Sequence, residues 1–111
     1  MKKPIISAGI IAAMLAAASC AHRHTEPITG QVVNVENKHV ANGQMLYNRY
    51  CQKCHPAGEA GLGPEVTHKP GFARRFQVRH GLGTMPAFKK DVIGRQELSD
   101  IMKYLNYLAK L

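Results

Sequence analysis

Two cysteines and a histidine, in the order Cys51-Gln52-Lys53-Cys54-His55, constrain the fold of this 111-residue chain more than any other feature. The thiols stand three residues apart and the imidazole follows at once, so one continued helical turn projects all three groups to the same side. Groups projected to one side can serve a common ligand. The fold must therefore present this turn at a binding site.

Covalent attachment of haem is the chemistry that this spacing favours. Each thiol can form a thioether with one haem vinyl group, while the imidazole of His55 reaches the iron. A zinc site would need a fourth ligand and usually a second cysteine pair, whereas the third cysteine, Cys20, stands at a predicted cleavage site. A thioredoxin-like redox pair follows a strand, whereas this motif follows a predicted helix. We therefore predict one covalent haem c on Cys51 and Cys54.

The first 19 residues predict a secretory signal peptide. Two lysines precede an apolar run over residues 5–18, which is too short to cross a bilayer as a finished helix. The segment Ala17-Ala18-Ser19-Cys20 resembles the lipobox of bacterial lipoproteins, which implies lipid attachment at Cys20. The alternative is cleavage after Ala18, which leaves a free thiol. Ala21 stands where an aspartate would retain a lipoprotein in the inner membrane, so the resemblance favours the outer membrane.

The character of the chain changes near residue 40. Residues 20–39 are polar and irregular, which predicts a flexible tether, and residues 40–111 are long enough for one compact domain. The chain has 15 basic and seven acidic residues, so loss of Lys2 and Lys3 with the signal leaves 13 basic residues and a net charge of +6. In an exported protein this balance favours an acidic protein partner over nucleic acid, although such charges can also form an ordinary solvated surface.

The spacing of apolar residues predicts several helices after residue 40. The periods indicate helices over about residues 40–50, 72–80 and 95–109, with Gly81 ending the second and Gly94 capping the last. Met45 and Met102 fall at core spacing and are predicted to be buried. The last helix carries a stripe of five apolar residues: Leu98, Ile101, Met102, Leu105 and Leu108.

The pattern Gly43-x-x-x-Tyr47-x-x-x-Cys51-x-x-Cys54-His55 is similar to the entry helix and attachment site of class I bacterial cytochromes c. The resemblance covers residues 40–111 and includes Gly61-Leu62-Gly63-Pro64 and the segment 78–88. It implies a small all-α cytochrome c fold, with about three to four helices wrapped around one covalently attached haem. It also implies that the Pro64 carbonyl accepts a hydrogen bond from the His55 imidazole. It also implies that the last helix crosses the first at Gly43, near Tyr104.

Met85 follows His55 by 30 residues, in a loop rich in glycine and proline that can bring its thioether over the opposite face of the haem. The resemblance of the flanking segment supports Met85 as the sixth iron ligand, with His80 and His68 as the alternatives. Arg79 is expected either to pair with a haem propionate or to remain exposed.

Two axial ligands leave the iron no open coordination position, which disfavours oxygen chemistry and favours electron transfer. The sequence therefore predicts a one-electron carrier rather than an enzyme, working between exported or membrane-bound redox partners. A fixed haem subunit of a larger membrane oxidoreductase is the nearest alternative, and a haem sensor or peroxidase is a further one. Lys53, Lys89 and Lys90 flank the haem-bearing segments and are expected to face the acidic partner. The predicted location is the periplasmic side of a membrane, with the lipid on Cys20 as the anchor.

Overall fold

The computed structural model describes residues 36–111, so the predicted signal peptide, Cys20 and most of the predicted tether lie outside the described residues. This part of the chain forms three α-helices and a short 3₁₀ helix. They are α1 (Lys38–Tyr50), the 3₁₀ helix (Pro56–Gly58), α2 (Gly71–His80) and α3 (Arg95–Leu108). Within residues 36–111 the β-type pairing is limited to one isolated bridge between Leu82 and Met85, which confirms the all-α prediction. No helix in this range is long and apolar enough to span a bilayer.

Helix α1 begins two residues before its predicted start because Asn37 caps it. The Asn37 side-chain oxygen accepts hydrogen bonds from the backbone N–H groups of His39 at 3.1 Å and Val40 at 3.3 Å. Such a cap pairs donors that the first turn of a helix leaves unsatisfied. At the other end the Cys51 N–H donates to the Tyr47 carbonyl at 2.8 Å. The helical turn therefore continues into the cysteine motif.

Helix α3 supplies more of the buried core than any other element. Its N-cap is Gly94, as predicted, and the Glu97 carboxylate accepts the Gly94 N–H at 2.8 Å. A carboxylate in the first turn also interacts favourably with the positive end of the helix dipole. Four of the five predicted stripe residues are buried and the fifth, Leu108, is half-buried. The buried four are Leu98, Ile101, Met102 and Leu105.

The prediction that Met45 is a core residue is wrong, because 61% of this residue is exposed. Met45 lies two residues from both Gly43 and Tyr47, which are buried. Two residues correspond to about 200° around an α-helix, so the Met45 side chain leaves the opposite face of α1. Met102 is buried in α3, as predicted.

Helices α1 and α3 cross in close contact, as the resemblance implied. A Cβ atom added at Gly43 would lie 2.0 Å from the backbone oxygen of Asp100, so the approach requires glycine. One turn along α1, the rings of Tyr47 and Tyr104 lie with centroids 5.3 Å apart and planes tilted by 57°, an arrangement that aromatic pairs prefer over face-to-face stacking. The crossing holds the end of α1, and with it the cysteine motif, against the core.

Candidate haem-binding site

The cysteine motif lies on one more turn after α1. The N–H groups of Cys54 and His55 both donate to the Cys51 carbonyl, at 3.1 and 2.9 Å. Cys51 is half-buried, Cys54 is exposed, and both are free thiols on the wall of one cavity. The two thiols therefore line the same cavity.

The His55 imidazole is buried and fixed in one orientation. Its Nδ1 lies 2.7 Å from the Pro64 carbonyl oxygen, as the resemblance implied. Because a carbonyl only accepts, this contact assigns the proton to Nδ1 and leaves the Nε2 lone pair free to bind a metal ion. Gly63 makes room for the ring, since a Cβ atom there would lie 2.2 Å from the His55 Cε1.

The Tyr47 hydroxyl joins the two sides of the attachment turn. It donates a hydrogen bond to the His55 carbonyl and accepts the Gly58 N–H at 3.0 Å. Burial raises the pKa of Tyr47 well above its usual range, so the hydroxyl keeps its proton and remains a donor. The sequence marked Tyr47 only as part of a pattern; its position eight residues before His55 was the one signal of this role.

A tight backbone turn presents Met85. Leu82 and Met85 exchange two backbone hydrogen bonds, of 3.0 and 2.9 Å, and the Phe88 N–H donates to the Val78 carbonyl at 2.8 Å. Gly81 ends α2 with a φ of 69°, a conformation that favours glycine. Met85 is half-buried and lines the same cavity as the cysteines and His55.

The cavity has a volume of about 420 Å³, within the range of small-molecule and cofactor sites. Its wall brings together the two thiols, the His55 imidazole and the Met85 thioether. Most of the remaining wall is apolar, and includes Val66, Val78, Phe88, Ile101, Met102 and Leu105. An apolar cleft with a few metal-binding groups suits a flat, largely apolar cofactor such as haem.

The alternative ligands His68 and His80 do not line this cavity. The His80 ring stacks on Phe76, with centroids 4.0 Å apart, and its Nδ1 lies 2.8 Å from the Phe76 carbonyl oxygen. His68 is exposed, and its Nδ1 lies 3.2 Å from a Glu65 carboxylate oxygen. Among the histidines that the structure describes, His55 is the one on the cavity wall.

Arg79 does not reach the cavity, which corrects the expectation that it pairs with a haem propionate. Its guanidinium donates to the backbone carbonyls of Phe88 at 3.1 Å, Ile93 at 2.5 Å and Gly94 at 3.5 Å. These three hydrogen bonds occupy the guanidinium. Arg79 therefore ties the segment after Met85 to the start of α3.

The competing uses of the cysteine pair find no support in the geometry. Residues 36–111 contain no group of three or more His, Cys, Asp or Glu side chains arranged to hold a metal ion. Burial, followed by the nearby Cys54, raises the pKa of the Cys51 thiol to about 12. Thiol–disulfide exchange depends on a thiol whose pKa is lowered, so this environment does not suit a redox pair.

Comparison with known proteins identifies the family. Residues 38–105, more than half of the chain, match the family described as cytochrome C oxidase, cbb3-type, subunit III. The chain belongs to this cytochrome c family. The cytochrome is also similar to the cytochrome c subunit of 4-cresol dehydrogenase (hydroxylating) from Pseudomonas putida, with 32% identity over 69 residues, or 60% of each chain. No solved structure matches the cytochrome at a significant level.

The family and the relative agree with the chemistry of the cavity. The protein is a haem electron carrier in which haem c is bound covalently. The donor set fits the group, because two thiols at the end of α1 and one buried imidazole with a free Nε2 lie on one apolar wall. The match covers about 60% of the relative's length, so the relative's activity and partners do not transfer with the likeness.

Proposed function

We propose that this cytochrome is a class I carrier of single electrons, with haem c attached through Cys51 and Cys54 and with His55 and Met85 as the axial iron ligands. One observation carries the proposal: two thiols, an imidazole and a thioether lie on the wall of a single, largely apolar cavity. Haem, when bound, supplies the one-electron Fe(III)/Fe(II) couple. The residues of the chain hold the haem and its proposed axial ligands.

The chain holds both proposed ligands through backbone contacts. The His55 ring is oriented by the Pro64 carbonyl and by the turn that Tyr47 secures, and Met85 is presented by its paired bonds with Leu82. Ligands held in this way stay in place between the two oxidation states, which suits rapid electron exchange. The largely apolar wall would limit the access of water to a bound haem. A thioether ligand favours the ferrous state and raises the potential.

The cavity opens to solvent beside the cysteines. Cys54 is exposed, and Leu62 and Leu82, which also line the cavity, are 83% and 76% exposed. A redox partner can therefore approach the haem at this edge without any opening of the fold. Lys53, Lys89 and Lys90 are exposed, which supports the proposal that an acidic partner docks nearby. Slower electron exchange with that partner as ionic strength rises would support this role, and indifference to salt would contradict it.

Replacing Met85 tests the proposed ligation. We expect Met85→Ala to open the sixth position, so that the reduced protein binds carbon monoxide, and to lower the midpoint potential. Met45→Ala is the matched control, because Met45 is exposed on the opposite face of α1 and should change neither property. A Met85→Ala protein with an unchanged spectrum and potential would show that another residue binds the iron. Carbon monoxide binding by the wild type would instead favour a sensor or peroxidase.

A fixed subunit of a larger oxidoreductase is the second candidate. It is favoured by the similarity to a protein that is itself named a cytochrome c subunit. A carrier that moves between partners should purify from native membranes alone, whereas a fixed subunit should purify with one partner in constant ratio. The ratio of partner to tagged cytochrome after gel filtration distinguishes a mobile carrier from a fixed subunit.

The proposed location follows from residues outside the described range. We propose that residues 1–19 are removed on export, that Cys20 carries lipid, and that residues 20–39 tether the haem domain of residues 40–111 to the membrane. Wild-type protein should then sediment with outer membranes, whereas Cys20→Ser should not mature normally. Wild-type protein that is released from membranes, with Ser19 as its first residue, would contradict the lipid anchor.

A further inference from the structure

The inference concerns a buried cation beside the proposed haem site. Arg74 lies on α2 and is about nine-tenths buried, with 9% of its surface exposed. Its Nη2 donates to the side-chain oxygen of Asn106 on α3 at 2.6 Å. Its Nε and Nη1 are closed off from water and have no hydrogen-bond partner. Buried charges in proteins are normally paired, so this guanidinium calls for a counter-ion.

The protein offers Arg74 no carboxylate at ion-pair distance within residues 36–111. Glu65 lies on the same cavity wall, but its carboxylate is engaged by the Thr67 hydroxyl and by the His68 N–H at 2.8 Å. Asn106, the one residue that pairs with Arg74, is neutral. Glu65 offsets part of the charge from beyond ion-pair distance, but no carboxylate of the described residues pairs with the guanidinium directly.

The haem itself carries the missing group. Arg74 lines the cavity together with the two cysteines, His55 and Met85. A haem has an apolar body and two propionate carboxylates, and a guanidinium pairs strongly with a carboxylate. Resting on the proposed haem site, we propose that a haem propionate is the counter-ion of Arg74, and that Arg74 thereby positions the haem and sets its potential.

Two other basic residues are less suited to this role. Lys69 lines the cavity but is exposed, so water screens its charge and solvates it. Arg79 is held by three backbone carbonyls and does not line the cavity. Arg74 alone among the three combines burial, an unpaired charge and a place on the wall. Its bond to Asn106 also links the propionate side of the haem to α3.

The test is the midpoint potential of three holoprotein variants. Arg74→Gln removes the buried charge, Arg74→Lys keeps a charge at the same position, and Arg75→Gln removes the neighbouring, exposed charge. An unpaired propionate favours Fe(III), so we expect Arg74→Gln to lower the potential, shifting the Fe(III)/Fe(II) ratio on the order of tenfold, or about 59 mV for one electron. Arg74→Lys should stay closer to wild type than Arg74→Gln, and Arg75→Gln should shift much less.

The pH profile of the potential separates pairing from general damage to the fold. In Arg74→Gln the propionate lacks a counter-ion in an apolar site, so its pKa should rise and the potential should fall with increasing pH between about pH 5 and 8. The other titratable side chains on the cavity wall are those of Glu65, Lys69, His55, Tyr47, Tyr50, Cys51 and Cys54, and α3 adds only apolar groups and the Asn106 amide. All of these are kept in every variant.

The result that overturns the proposal is an Arg74→Gln protein whose potential and pH profile match those of Arg75→Gln. If Arg74→Gln does not mature, Arg74→Lys still tests the proposal. The midpoint potential of Arg74→Lys should depend on pH as that of the wild type does. A new pH dependence of its potential would contradict pairing through charge. The visible spectrum of each variant reports haem attachment and Met85 ligation separately. Failure of the haem site and failure of the Arg74 assignment therefore give different results.

Discussion

The crossing of α1 and α3 differs from the haem cavity in how its buried charge is paired. At the crossing, Gly43 lets two backbones touch, and the buried Asp100 carboxylate accepts hydrogen bonds from Asn42 and Gln96, both at 2.8 Å, beside a 2.7 Å contact with His39. In the cavity wall, the buried Arg74 guanidinium has two unpaired nitrogens. The buried charge at the crossing is paired within the chain, although the Tyr104 hydroxyl there is buried without a hydrogen-bond partner. The buried charge in the cavity wall has no carboxylate of the described residues at ion-pair distance.

This difference indicates which region of the domain depends on haem for its stability. The α1–α3 crossing holds one end of the cysteine motif through close packing of the chain on itself, whereas the second half of the site, α2 and the Met85 turn, reaches the core mainly through the cavity wall. A domain of this size buries little apolar surface for its length. We therefore expect the crossing to be the more persistent region and the cavity side to depend on haem.

The largest expected effect comes from preventing haem attachment. A Cys51→Ala, Cys54→Ala double variant made without haem should lose most of its helical signal in circular dichroism, because the core loses a large apolar body and two covalent links. Any residual protection in hydrogen exchange should lie in α1 and α3 rather than in α2. Lys53→Ala, between the two cysteines, is the matched control and should keep native helicity. Full helicity in the haem-free double variant would refute the dependence on haem.

The second effect is on the crossing itself. Gly43→Val should destabilise the holoprotein by about 3 kcal/mol, because the added side chain meets the Asp100 carbonyl and the two backbones must separate. Guanidinium unfolding of the holoprotein measures this. Met45→Val tests helix propensity alone, since Met45 is exposed on the other face of α1. If both variants lost the same stability, the close approach of α1 and α3 would not be the cause.

A smaller effect concerns Asp100 and depends on pH. Burial alone would raise the pKa of Asp100, but hydrogen bonds from Asn42, Gln96 and His39 lower it below its usual value. A carboxylate with a lowered folded pKa adds stability above its unfolded pKa of about 3.9, and that stability is lost as the pH falls through the folded pKa. Asp100→Asn should therefore cost about 2 kcal/mol at pH 7 and progressively less below pH 4.

Denaturant unfolding at pH 7 and at pH 3 measures the Asp100 effect. Asp91→Asn is the control, because Asp91 is exposed and outside the crossing. Equal losses for Asp100→Asn at both pH values would mean that the cluster contributes packing rather than charge. Because this network does not line the cavity, the midpoint potential should stay unchanged in both variants.

The helices and the attachment motif could be predicted from sequence because their signals are local, whereas the proposal of Met85, 30 residues after His55, depended on the resemblance of its flanking segment. The apolar periods, together with Gly81 and Gly94, predicted the ends of the helices to within about two residues. The spacing from Cys51 to His55 predicted the cofactor. The role of Arg74 could not be predicted in this way. Arg74 and Arg79 lie on the same helix, and only the packing of α2 decides which of them faces the cavity. The Tyr47 hydroxyl was missed for the same reason, since its contacts form across a turn.

The central claim is that the cavity holds a six-coordinate haem with Met85 on the iron, and methyl-selective NMR of the reduced, diamagnetic protein tests it most directly. With ¹³C-methyl methionine, residues 36–111 should give three signals, from Met45, Met85 and Met102. A methyl group bound over the porphyrin face should be shifted far upfield, so we expect one such signal, absent in Met85→Leu, while exposed Met45 stays at an ordinary position. Three methyl signals at ordinary positions, with the haem attached, would contradict the account.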